Sequence, residues 1–159
     1  MSSTGLDVFD TTLQETNLWL KAVMTHLETK NRHQAYIALK SVLHALRDRI
    51  GPTNAAHLGA QLPILLRGVY YEGWHMAGTP TKERHELQFL EHVRYGFSRG
   101  MEFDARSAAR AVFEVMREKI APGEVAKIIN MLPEELRDLW PAVALAGPAP
   151  SVGGWPKLD

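Results

Sequence analysis

Shifted by 70 residues, the chain matches itself. Residues 19–70 lie over residues 89–140 without a gap, and thirteen of those 52 pairs are identical. Among them are Leu20/Leu90, Ala35/Ala105, Val42/Val112, Arg47/Arg117, Leu62/Leu132, Pro63/Pro133 and Arg67/Arg137. An internal match of this length restricts the fold to two copies of one supersecondary unit. Most of the identities are apolar, Pro or Arg, which is the pattern of a repeated scaffold rather than a repeated active site. The copies are read as residues 12–74 and 81–141, joined by Glu72–Thr81.

Each copy reads as four helices. In the first copy, Thr12 is expected to cap the opening helix, with Glu15 closing a capping box. Trp19, Leu20, Val23, Met24 and Leu27 then recur at helical spacing. Ala35, Ala38, Leu39, Val42, Leu43 and Leu46 form the longest apolar stripe, and Gly51-Pro52 ends it. A third helix is predicted from about Thr53 to Gln61, and Pro63 falls at the first turn of a fourth. In the second copy a helix is predicted from Thr81, containing Leu87, Leu90, Val93 and Phe97. Asp104 caps the next, with Ala105, Ala108, Val112, Phe113 and Met116 on its stripe. No segment alternates with period two long enough to make a strand. The fold class is therefore all-α: two tandem pseudo-symmetric four-helix units packed together. Residues 142–159, rich in Pro and Gly, are read as a flexible tail in which Trp155 is the one residue able to dock.

Composition narrows the function classes. The 159 residues include 18 basic and 18 acidic side chains and no Cys. Balanced charge argues against a strongly cationic nucleic-acid binder. Absence of Cys removes disulfides, thiolate metal sites and Cys nucleophiles. The first residues carry no basic and apolar leader, and no apolar run approaches the ~20 residues of a membrane helix. Cytoplasm is the expected compartment, with no membrane partner.

The strings Ala45-Leu46-Arg47-Asp48-Arg49-Ile50, His57-Leu58-Gly59-Ala60-Gln61-Leu62-Pro63 and Arg67-Gly68-Val69-Tyr70-Tyr71-Glu72-Gly73-Trp74 carry a resemblance. So do Met116-Arg117-Glu118-Lys119-Ile120 and Leu132-Pro133-Glu134-Glu135-Leu136-Arg137-Asp138-Leu139-Trp140. Together they resemble the bacterial family called domain of unknown function 2267, over about residues 12–141. The resemblance implies an all-helical bacterial protein and no particular activity.

No chemical motif is complete. His85-Glu86 opens the two-His zinc-protease pattern, but Phe89 stands where the second His belongs. Glu72-x-x-His75 is the only pair of its kind, whereas a di-iron bundle needs two. His26, His33, His44, His57 and His85 read as solvated surface groups. No metal, cofactor or catalytic residue is expected. The corner between helices three and four resembles a helix-turn-helix. However, Pro63-Ile64-Leu65-Leu66 is apolar, and Glu134, Glu135 and Asp138 would repel phosphate, so nucleic-acid binding is the weakest reading. The first reading is an interaction or scaffold module without catalysis, with a protein partner or a second copy of itself. The alternative is a small-molecule or enzymatic groove between the copies near Trp74 and His75. The candidate binding residues are Tyr71, Trp74, His75, His85 and His92. Tyr71 and Trp74 have no aromatic counterpart in copy two, so they are expected to pack on its first helix near Leu87–Val93. The repeated arginines are expected to bond carbonyls or carboxylates within their own copies.

Overall fold

The structure is a computed structural model that describes residues 2–141, so the tail reading and Trp155 lie outside the described residues. It is all helical. The order is α1 (Asp7–Leu27), α2 (Arg32–Ile50), α3 (Pro52–Gly59), α4 (Ile64–Tyr71), a 3-10 turn (Met76–Gly78), α5 (Glu86–Arg94), α6 (Ala105–Lys119), α7 (Pro122–Asn130) and α8 (Glu134–Arg137). Among the described residues there is no strand, and no helix is long and apolar enough to cross a membrane.

The central helices form for the reasons their stripes imply. Leu39, Val42, Leu46, Val112, Phe113 and Met116 are each at most 1 % exposed. Asp104 accepts a hydrogen bond from the Ser107 amide and so caps α6. Asn31 does the same for α2 through the Gln34 amide. Tyr70 and Trp140, at matched positions, both point inward. Trp140 stacks on Phe113 with ring centroids 4.1 Å apart, and Tyr70 donates its hydroxyl to the Ala55 carbonyl at 2.7 Å.

The helices pack across the halves of the chain. α1 lies on α2 and even more extensively on α6, α5 lies on α2 as well as on α6, and α2 crosses α6. A single cluster of buried side chains consequently runs from Trp19 to Trp140.

Three expectations need correction. First, α1 begins at Asp7, five residues before Thr12. Asp10 accepts bonds from Ser2 and Thr4 ahead of the helix. Thr12 sits within α1 and accepts the Leu65 amide at 2.8 Å, so it caps α4 instead. Second, α5 starts at Glu86, not Thr81. The Thr81 amide instead donates to the Asp48 carbonyl, holding the connection against α2. Leu87, expected in this helix with Leu90 and Val93, lies within α5 but is 78 % exposed, because at about 100° per residue it points well away from the face that Phe89, Leu90 and Val93 turn to the core. Third, His44 is half-buried rather than solvated, with Nε2 2.7 Å from the Val69 carbonyl. Burial pushes its pKa below the usual imidazole value, against the pull of that carbonyl.

Candidate functional site

The five residues singled out from sequence do not share one set of partners. Tyr71 stacks on Trp74, with centroids 5.4 Å apart, and meets Tyr70 edge-on. Its hydroxyl lies over Gly59, where a Cβ would come within 2.7 Å of the ring. It reaches toward the Ala56 carbonyl at 3.5 Å. The Tyr71 ring therefore leans on α3 of its own half, which corrects the expected seat against α5. The cause is local: a glycine on α3 leaves a hollow that fits the ring. Trp74 is half-buried beside it. His75 is exposed at the start of the 3-10 turn. His85 is exposed at the N-cap of α5, with Nδ1 3.1 Å from Glu135 Oε2. The Glu86 amide and then His85 hold the Glu135 carboxyl below its usual range.

His92 is the one candidate with a dense polar setting. Its Nδ1 lies 2.9 Å from Glu83 Oε2 and its Nε2 lies 3.4 Å from Asp48 Oδ2. Asp48 also accepts from Arg47 at 2.8 and 3.2 Å. Arg47 in turn donates to the Tyr70 and Glu72 carbonyls. Arg49 holds the Glu83 carbonyl, and Thr81 donates to the Glu83 carboxylate. The hydrogen bond to Asp48, then that to Glu83, raises the His92 pKa to about 9 against partial desolvation. Burial would raise the Asp48 carboxyl pKa, but its bonds from His92 and Arg47 outweigh that and keep it low. The network ties α2, the connection and α5 together. Its polar atoms are already mutually engaged, so its chemistry is that of a clamp.

A second histidine, read from the sequence as a solvated surface group, meets an acid at the position matching Asp48. His26 near the end of α1 lies 2.8 Å from Glu118 Oε2 on α6. Glu114, one turn earlier, brings a third group, and one ligand atom from each of His26, Glu114 and Glu118 falls within 4.8 Å of the others. Arg117 donates to Glu114 Oε2 at 2.6 Å. A cleft of about 420 Å³ opens alongside, lined by His26, Ser107, Arg110, Glu114 and Leu139 among others. The Glu114/Glu118 spacing was visible in the sequence. The approach of His26, 92 residues from Glu118, was not.

The remaining feature is apolar. Eleven residues make about three helical turns, so Val8 and Phe9 face as Trp19 and Leu20 do. The latter two are buried, yet Val8 is 48 % and Phe9 56 % exposed. The N-terminal half of α1 overhangs the core and carries its inward stripe with it. Leu13 continues that stripe, and Ile64 and Leu65 adjoin it through the Thr12–Leu65 bond. A cleft of about 360 Å³ at this edge is lined by Leu18 and Ile64 together with Arg67 and Lys119.

Fold and surface thus define an all-helical bundle with one shared core, a polar clamp between its halves and an uncovered apolar edge. The family model described as "Uncharacterized conserved protein (DUF2267)" matches residues 16–139, and the chain belongs to that family. No curated protein matches the sequence.

Proposed function

We propose that this protein is a helical interaction module, built from two copies of one unit (residues 12–74 and 81–141), that associates with a second copy of itself through the overhanging half of α1 and the start of α4. The carrying observation is the uncovered stripe of Val8, Phe9 and Leu13 beside Ile64 and Leu65. Contiguous apolar surface on a folded chain is a mark of association. A second copy is the favoured occupant because the edge carries opposite charge at its two ends. Asp7 and Asp10 lie at the start of α1, and Arg67 and Lys119 lie beside Leu18 and Ile64. A copy turned end for end brings acids onto bases while the stripes meet. The two-unit reading is supported by matched bonds: Arg67 and Arg137 donate to the Leu62 and Leu132 carbonyls, 70 residues apart in each case.

Light-scattering mass across a concentration series tests the association. The expected result is a reversible dimer, converted to monomer by Phe9→Glu with Leu65→Glu while the helical circular dichroism is unchanged. A wild-type chain that stays monomeric throughout, or a dimer indifferent to both substitutions, overturns the proposal.

A further inference from the structure

We propose that His26, Glu114 and Glu118 form a binding site for a divalent first-row transition-metal ion of the Zn²⁺ type. The two glutamates stand one turn apart on α6, so both carboxylates emerge on one side of that helix. α6 is the helix on which α1 packs most extensively, and α1 brings His26 to the same place. One imidazole nitrogen and two carboxylate oxygens form a mixed set that suits Zn²⁺, Co²⁺ or Mn²⁺ better than Ca²⁺ or Mg²⁺, which favour oxygen alone.

The spacing is close to what such an ion needs. Metal–ligand bonds of about 2.0–2.2 Å place neighbouring ligand atoms roughly 3–3.6 Å apart. The three ligand atoms here already lie within 4.8 Å of one another. His26 and Glu118 are already 2.8 Å apart, and both side chains reach solvent, at 28 % and 39 % exposure, so they can adjust around an ion. Arg117 holds Glu114 by Oε2, and we assign the other oxygen, Oε1, to the ion. The adjoining cleft of about 420 Å³ leaves room for water to complete the shell. Three protein ligands with an open side is the arrangement of accessible metal sites rather than closed structural ones.

The residue pattern separates this site from the repeated scaffold. Under the 70-residue offset, His26, Glu114 and Glu118 match Gly96, His44 and Asp48. The first of these removes a ligand, and Gly96 is pressed against Ser41. The three-ligand set therefore occurs once, on the α1–α6 side.

Calorimetric titration of chelator-stripped protein with ZnCl₂, paired with the visible absorption of added Co²⁺, tests the site. One equivalent of Zn²⁺ is expected, with a Co²⁺ band from the bound ion. His26→Asn and Glu118→Gln should each weaken binding by at least about tenfold, and His33→Asn should leave it unchanged. The three substituted residues, His26, His33 and Glu118, lie at the surface, and circular dichroism verifies the fold of each variant. Absence of Zn²⁺ binding, or binding indifferent to both His26→Asn and Glu118→Gln, overturns the assignment.

Discussion

Arg47 and Arg117 occupy matched positions but differ in setting. Arg47 is 3 % exposed and holds two carbonyls and Asp48. Arg117 is half-buried and holds Glu114 alone among the described residues. Removing one partner of a buried charge pair leaves the other uncompensated, at a cost of about 3–5 kcal/mol, whereas a part-exposed pair contributes about 1 kcal/mol or less. Arg47→Ala should therefore lower urea-unfolding stability several times more than Arg117→Ala. Comparable losses would mean that Asp48 and the two carbonyls find other partners. His92 gives the pH counterpart. Its pKa, raised from an ordinary ~6.5 to about 9, supplies stability that is complete below pH ~6.5. That stability is lost as pH rises through about 9. Discounted for the 23 % exposure of its side chain, the effect is on the order of 2–3 kcal/mol. Chemical denaturation between pH 6 and 10 should show this decline in the wild type and a flatter profile in His92→Asn.

At the scale of elements, two contacts govern how helices meet. The Thr12 hydroxyl receives the Leu65 amide near the start of α4. Thr12→Val keeps the shape and removes the acceptor, so it should cost about 1 kcal/mol and speed hydrogen exchange at Leu65. Unchanged exchange there would show that the cap contributes nothing. Just beyond α5, a Cβ on Gly96 would overlap the Ser41 hydroxyl and come within 2.9 Å of the Ser41 Cβ. Gly96→Ala should destabilise by about 1–3 kcal/mol through overpacking, less in a Ser41→Gly background. These same elements mark what the sequence could reveal. The stripe through Leu39, Val42 and Leu46, the Asp104 cap and the matched bonds of Arg67 and Arg137 depend on neighbours within a few turns, so spacing exposed them. Thr12 has the right chemistry for a cap, but its recipient lies 53 residues away. Tyr71 turned to α3 because Gly59 leaves a hollow, and spacing does not record hollows. The partners of His26 and His92 depend on how α1 and α5 cross the second helices of the opposite halves, which no local pattern encodes.

For the whole molecule, the decisive fact is that α1 lies chiefly on α6 while α5 lies on α2 as well as α6. Neither half retains a closed core without the other. Unfolding should accordingly be a single cooperative transition, with helical signal and tryptophan fluorescence coincident. Two separated transitions would show that the halves are energetically independent. The same crossing has a consequence during synthesis. Chains commonly fold from the N-terminus as they leave the ribosome, but here α1 is left without its most extensive helix partner until α6 has emerged. Nascent chains stalled before Lys119 should remain open to protease and attractive to chaperones, and protection should arrive abruptly once that residue clears the exit tunnel.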